Sequence, residues 1–336
     1  MSVEQGLRPS SPSRASRLLG FGAYRPSRVV PNSEIVDRID SSDEWIRERS
    51  GIAERRVAGD GETVLDMATW AAEKALANAG LTADRIGLVV VATVTYLRQT
   101  PAAAPIIADR LGANGSAAFD ISAACAGFCY GLELAADAVA SGSTEHALVI
   151  GVERLSDLTD SYDRGSAFIF ADGAGAAVIG PSDVPLIGPV AWGSDGSQAD
   201  AIEQAESWDA LRDNPEIRFP ALSMKGQQVF RWAVYDMPKV AQRALDAAGV
   251  KASDLDVFVP HQANLRIIDA MVRQLDLPED VVVAKDIIDT GNTSAASIPL
   301  AVSRLLESGQ AKSGDLALFI GFGAGLAYAA QVVVLP

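Results

Sequence analysis

Apolar positions along the chain follow two rhythms. Short unbroken runs at Leu88–Val91, Leu148–Ile150, Val257–Val259 and Leu316–Ile320 are rich in branched side chains. Such runs suit strands covered on both faces. Between them lie longer stretches with the 3.6-residue apolar spacing of amphipathic helices, several closed by a glycine. Lys74–Gly80, a turn to Ile86 and the run Gly87–Val91 have a counterpart in Arg243–Gly249, Val250–Leu255 and Asp256–Pro260, at an offset of 169. A second pair is longer. Asp120–Phe128 opens a helix that stops at Ser141-Gly142 before Ala147–Gly151, and Asp289–Ser297 opens one that stops at Ser308-Gly309 before Ala317–Gly321. Counting back from the two Ser-Gly stops, at an offset of 167, sets Cys125 opposite Asn292. A thiol and a carboxamide heading equivalent helices predict one shared site near a pseudo-twofold axis.

Alternating strands and helices argue α/β layers. The expected organisation is a disordered Ser-, Pro- and Arg-rich tail over residues 1–16, one half over 17–180 and a similar half over 181–336. The Pro-rich stretch Pro181–Pro189 forms the boundary. It lacks the composition of a long flexible linker, so rigid packing of the halves is expected.

Composition narrows the partners. With 49% hydrophobic and 21% charged residues the chain reads as globular. No apolar run reaches membrane-spanning length, and the first residues lack the apolar core of a signal peptide. The two cysteines, Cys125 and Cys129, sit at helical spacing and suggest no disulfide framework, so a reducing cytoplasm is the expected setting. A net charge of −15 disfavours nucleic acid. It also repels acidic partners unless local arginines offset the global field.

Candidate chemistry gathers at a few positions. Cys125 follows the strand-like Ala118–Ser122 at a helix start, where the dipole and free N–H groups favour a thiolate. Cys129, one turn on, reads as a buried structural residue. Of the two histidines, His146 lies in the polar turn Ser143–His146 and reads as solvated. His261 follows the apolar run Val257–Pro260, at a strand end where open α/β sheets place ligands. Gly321-Phe-Gly-Ala-Gly325 lacks the full dinucleotide fingerprint and reads as a tight loop offering N–H groups to an oxyanion. Phe170–Gly175 reads as a similar, structural turn. No Cys/His cluster for a metal stands out.

These residues make the chain recognisable. Ser42-Asp-Glu-Trp45-Ile, Arg49-Ser-Gly-Ile52, Ala124-Cys-Ala-Gly-Phe128, Asp163-Arg-Gly165, Pro260-His-Gln-Ala-Asn-Leu-Arg266 and Gly291-Asn-Thr-Ser-Ala-Ala-Ser297 together resemble β-ketoacyl-acyl carrier protein synthase III, from about Arg17 to Pro336. The resemblance implies the five-layered αβαβα thiolase-like fold with internal duplication, usually as a homodimer. It implies Cys125 as acyl-accepting nucleophile, His261 and Asn292 as its catalytic partners, and the backbone of Cys125 and Ala324 as the oxyanion site. For coenzyme A it implies an adenine sandwich of Trp45 and Arg164, phosphate contact by Arg49, and a tunnel along Gly226, Phe230 and Asn264. Arg231, Arg266 and Arg273 would dock an acidic carrier protein. Thr100, where some members carry Phe, implies an acyl pocket, completed across the dimer, with room for starters larger than acetyl.

The implied reaction joins an acyl-CoA to malonyl-acyl carrier protein with loss of carbon dioxide, and needs no metal or redox cofactor. Priming of a polyketide pathway, with the same chemistry and another carrier, is an alternative. So is an acyl transfer without decarboxylation. A Cys-His-Asn hydrolase and a non-catalytic CoA-binding protein explain the motifs less well, because the one leaves the pseudo-symmetry unexplained and the other leaves the triad idle.

Overall fold

The computed structural model describes residues 14–336. The first half runs β1 (Ala15–Tyr24), the hairpin partners β2 (Arg28–Pro31) and β3 (Glu54–Val57) flanking α1 (Asp43–Ser50), then α2 (Val64–Ala79) and β4 (Leu88–Ala92). It continues through α3 (Ala103–Leu111), β5 (Ala117–Ile121), α4 (Gly127–Ala140), β6 (Ala147–Arg154) and β7 (Asp172–Ser182). The second half begins with β8 (Ala191–Ser194), the short pair β9 (Ile202–Gln204) and β10 (Leu222–Met224) around α5 (Trp208–Asp213), α6 (Gly226–Ala248) and β11 (Val257–Pro260). It ends with α7 (Leu265–Gln274), β12 (Val282–Val283), α8 (Ile287–Thr290), α9 (Ser297–Glu307), β13 (Leu316–Gly323) and β14 (Ala327–Val334).

The duplication is explicit in the sheets. One has the strand order β1-β7-β6-β4-β5 and the other β12-β11-β13-β14-β8, so each strand has a counterpart in reversed order. In each, a parallel core carries an antiparallel edge. Helices α4 and α9 lie between the sheets, sharing one apolar core with both, including Phe128, Leu132, Ile298 and Phe319. Helices α2 and α3 cover the outer face of the first sheet, and α6 and α7 that of the second. This is the five-layered αβαβα arrangement. Helix α2 starts with a capping box, in which Thr63 and Asp66 satisfy each other's backbone N–H. It stops at the left-handed Gly80, as α6 does at Gly249. No helix among the described residues is long and apolar enough to cross a membrane.

Several expectations change. The tail expected over residues 1–16 lies mostly outside the described residues, but Ala15 and Ser16 already belong to β1. Of the turn read at Phe170–Gly175, the residues from Asp172 on belong to β7, and Phe170 bridges to Asn292. His146 is buried against Gly180 rather than solvated, and its Nδ1 has no hydrogen-bond partner among the described residues.

The helix equivalence also shifts. Short 3-10 turns at Ala124–Ala126 and Ser294–Ala296 open α4 and α9, and the left-handed residues Ala124 (φ 44°) and Ser294 (φ 47°) head them. This pairs Cys125 with Ala295, not Asn292. Helix α9 has 11 residues against 14 in α4, so counting from the C-terminal stops slipped by the difference. Close backbone approaches mark the true pairing. A Cβ on Gly151 would lie 2.2 Å from the carbonyl oxygen of Ala295, and one on Gly321 would lie 2.9 Å from that of Cys125. Each strand needs glycine there because the other half's helix-start turn rests on it.

Asp286 anchors the segment that ends at Asn292. Its carboxylate is 2% exposed and pairs with Arg304 Nε at 2.7 Å and Arg25 Nη2 at 3.2 Å. Arg304 also reaches Asp289 and Thr290 of α8. Asp286→Ala should cost about 3 kcal/mol, the lower end for a broken buried pair because both arginines still reach solvent. Denaturant unfolding checks this, and a loss below about 1 kcal/mol would contradict it.

Candidate active site

A cavity of about 1140 Å³ opens between the halves, with Cys125, His261, Asn292, Ser294, Phe322, Gly323 and Ala324 at its inner end. Strand β11 delivers His261 to this end. The backbone N–H of His261 donates to Ile320 on β13 (2.8 Å), and the neighbouring Gln262 side chain ties Pro260, Ala284 and Ile287 together. The ring is 2% exposed and meets Phe322 edge-to-face at 5.4 Å.

Burial pushes His261 down to about 3, so it is neutral at physiological pH. Its Nδ1 lies 2.7 Å from Ser297 Oγ, which also accepts the Gln262 N–H at 3.4 Å. The Ser297 hydroxyl proton has no other acceptor among the described residues, so it donates to Nδ1 and leaves the imidazole proton on Nε2. Asn292 is oriented by the same logic. Its Oδ1 accepts the Ser294 N–H at 2.8 Å, which fixes the amide so that Nδ2 is left as the free donor. Its backbone is clamped by Ile169 and Ala171, at 2.9 Å each.

Cys125 is half-buried and lines the cavity. Burial pushes its thiol up to about 12, opposed by hydrogen bonds with Ser294 and with its own backbone N–H, while the charge of Glu153 adds to the rise. This direction is opposite to the thiolate expected at a helix start. Desolvation and Glu153 outweigh the helix end. Cys129 is fully buried, as expected of a structural residue.

The glycine-rich segment differs from the expected loop, because Gly321–Gly323 complete β13 and a 3-10 turn begins at Ala324. A Cβ on Gly323 would stand 2.8 Å from Cys125 Cβ, 2.9 Å from Sγ and 3.3 Å from its backbone nitrogen.

At the mouth, Ser42 caps α1 by accepting the Trp45 N–H at 3.1 Å. Arg164, held in a turn by Asp163, lies 5.2 Å from the Trp45 ring, and Arg49 lies 5.4 Å from it. A ring stacked between Trp45 and Arg164 needs about 7 Å, two van der Waals contacts. The expected adenine sandwich is therefore closed here. Arg164 is half-exposed and its only ion pair among the described residues, to Asp40, is a loose 3.9 Å, which leaves it room to swing out.

Gly226 and Phe230 of α6 line the cavity, and so does Asn264. The Asn264 amide is already committed, capping α7 at Arg266 N–H and donating to the Arg49 carbonyl, both at 2.9 Å. Arg231 and Arg266 border the mouth, Arg266 lying over Phe230, while Arg273 is exposed one face-repeat along α7 and outside the cavity lining. Thr100 is exposed and does not line the cavity of its own chain. Only a subunit contact would bring it to an acyl group.

Four residues escaped the sequence reading. Ser294 and Ser297 stood inside the Gly291–Ser297 motif without a role, and Gly323 counted only as part of the expected oxyanion loop, not as the residue packed against Cys125. Glu153 had a usable signal: a carboxylate ending an otherwise apolar strand run is rarely buried without function.

Known proteins resemble this chain along nearly its whole length. Residues 119–196 match the family model for 3-oxoacyl-[acyl-carrier-protein] synthase III, and residues 245–335 match the model for its C-terminal part. The β-ketoacyl-[acyl-carrier-protein] synthase III of Streptomyces glaucescens is 62% identical over 330 residues, covering 98% of this chain and 99% of the relative. The crystal structure of the priming β-ketosynthase from the R1128 polyketide biosynthetic pathway superposes with a TM-score of 0.96 at 52% identity, covering 99% of both chains. The 3-oxoacyl-(acyl carrier protein) synthase III of Pseudomonas aeruginosa PAO1 gives 0.89 at 40% identity, over 96% of this chain and 99% of that one. With a relative this similar along nearly its whole length, the chain belongs to the β-ketoacyl-acyl carrier protein synthase III family, the condensing enzymes of the thiolase fold.

Proposed function

We propose that the protein condenses an acyl-CoA starter with malonyl-acyl carrier protein, giving 3-oxoacyl-carrier protein, CoA and carbon dioxide. The observation that carries this is the pair of neutral donors, His261 Nε2–H and the Asn292 Nδ2 amide, facing the same cavity end as the Cys125 thiol. Cys125 attacks the acyl thioester and CoA leaves, a ping-pong half-reaction. Backbone N–H groups of Cys125 and Ala324 hold the developing oxyanion. Malonyl-carrier protein then enters. His261 and Asn292 donate to its thioester oxygen and hold the enolate formed as carbon dioxide departs. The carbanion attacks acyl-Cys125 and releases the product.

A neutral donor suits this role, since it strengthens as charge develops without fixing a cation beforehand. In an acyl transfer without decarboxylation, two pre-oriented donors besides the oxyanion site would have no task. Priming of a polyketide pathway uses the same steps, and the relative of highest structural similarity reported above is named for it. The reading calls for a homodimer and no metal or redox group. Its test is stoichiometry: acetyl- and isobutyryl-CoA with malonyl-carrier protein should release one carbon dioxide per CoA. Acyl-carrier protein formed without carbon dioxide would overturn the reading.

Arg231, Arg266 and Arg273 would dock the acidic carrier protein at the mouth, against the chain's net charge of −15. Arg266→Glu should raise the KM for malonyl-carrier protein about tenfold at low salt and far less at 1 M, where the Debye length is about 3 Å. The KM for acyl-CoA should move less. An unchanged carrier-protein KM at low salt would return Arg266 to a plain surface charge.

A further inference from the structure

Glu153 is a buried acid that the steps above do not use. It ends the apolar run of β6, is 0% exposed, and makes no ion pair among the described residues. Its neighbour Arg154 turns instead to Asp157 at 3.2 Å. The carboxylate is held by neutral donors: Thr95 Oγ1 at 2.7 Å, Thr93 Oγ1 at 3.3 Å and the Val94 N–H at 3.1 Å. Thr95 donates to the carboxylate while its own oxygen accepts the Arg154 N–H at 2.8 Å.

The remaining neighbour is Ser294, which lines the same cavity end as Cys125 and whose side chain lowers the pKa of both Glu153 and the Cys125 thiol. Ser294 is 3% exposed and sits in a left-handed conformation, with φ 47°. That strain for a non-glycine residue is held by the Asn292 amide through the Ser294 N–H. A carboxylate buried without a cation is costly, and this one lies a single hydroxyl away from a protonated nucleophile. His261, neutral and already bonded by Ser297 at Nδ1, offers no comparable acceptor to the thiol.

We propose that Glu153 accepts the Cys125 thiol proton through the Ser294 hydroxyl. This rests on the reading that Cys125 is acylated. As the Cys125 S–C bond forms, the S–H proton passes to Ser294 Oγ and the Ser294 hydroxyl proton passes to Glu153. The thioester C–S bond breaks, and CoA leaves as a thiolate that solvent protonates. In the second half-reaction the carbanion displaces Cys125 as a thiolate, and Glu153 returns its proton through Ser294. The carboxylate thus ends each cycle ionised, and the one proton the overall reaction consumes comes from solvent. The titratable group facing Glu153 is Cys125 itself. The other packed neighbours, Thr93, Val94, Thr95 and Ser294, are uncharged.

The test is single-turnover loading of the full-length enzyme with acetyl- and isobutyryl-CoA, read by intact mass between about pH 5.5 and 9. Burial pushes Glu153 up to about 7, so native loading should rise through a midpoint near that value and then level. Glu153→Gln should load about 100-fold more slowly at pH 7, as expected for loss of a general base. Its profile should lose the midpoint and climb with hydroxide. Ser294→Ala, which keeps the Thr93, Thr95 and Val94 bonds to Glu153, should lose the same midpoint and decides the matter if Glu153→Gln melts early. A midpoint near 7 retained in both variants, with rates within threefold of native, would overturn the relay while leaving acylation of Cys125 intact. A native enzyme that takes up no acyl group would overturn the underlying reading as well.

Discussion

Asn292→Ala and His261→Ala should uncouple the two half-reactions. Both variants are expected to load an acyl group onto Cys125 within about tenfold of the native rate. Their release of carbon dioxide from malonyl-carrier protein should fall about 10²–10³-fold, the usual loss when one donor to a developing oxyanion is removed. The reason lies in orientation. The Ser294 N–H fixes the Asn292 amide and Ser297 fixes the imidazole tautomer, so each contributes one N–H donor and neither is positioned as the thiol's base.

The same geometry sets a pH expectation. Burial holds His261 down at about 3, so it stays the neutral donor throughout the working range. Carbon dioxide release by pre-acylated enzyme should show no histidine limb between about pH 5.5 and 8. Equal losses in loading and decarboxylation would show that these residues serve acylation instead.

Gly323→Ala should stop acyl loading. Gly323 is extended, with φ 178°, a conformation any residue adopts, so the added methyl carries no backbone penalty. Its cost is steric and local: the methyl would stand 2.8 Å from Cys125 Cβ and 2.9 Å from Sγ, where the thioester carbonyl must approach. Loading should fall by about 100-fold or more, on the scale expected when a reacting group is displaced by about 1 Å. A melting temperature within a few degrees of native would separate this from lost folding. Loading within threefold of native would show that the carbonyl approaches from another side. Ala324→Gly, which leaves the backbone N–H in place, should be close to native.

Much of this was legible in the sequence, for identifiable reasons. The strands of both sheets were readable because β4, β6, β11 and β13 are covered on both faces and so are apolar without interruption. The duplication was readable because Gly80 and Gly249 end equivalent helices with the same left-handed stop. Its register inside the site was not, because α9 is shorter than α4 and a count from the C-terminal ends carries that difference to the N-terminal ones. Cys125 and His261 declared themselves by reactive side chains at element ends. Ser294 and Ser297 did not, since their importance lies in which atom each hydroxyl faces. The rise of the Cys125 thiol was also hidden, because it depends on burial and on Glu153, remote in sequence. His146 looked solvated from its polar neighbours, yet the fold lays the β1–β7 edge over it.

In the proposed reaction Cys125 carries the acyl group between two substrates. Peptide-mapped mass analysis tests it most directly: load the enzyme with isobutyryl-CoA, remove free CoA esters, then add malonyl-carrier protein. One acyl group is expected, located on Cys125, absent in Cys125→Ser, and consumed in proportion to the 3-oxoacyl-carrier protein formed. An adduct that maps elsewhere, or one on Cys125 that persists while product accumulates, would contradict it.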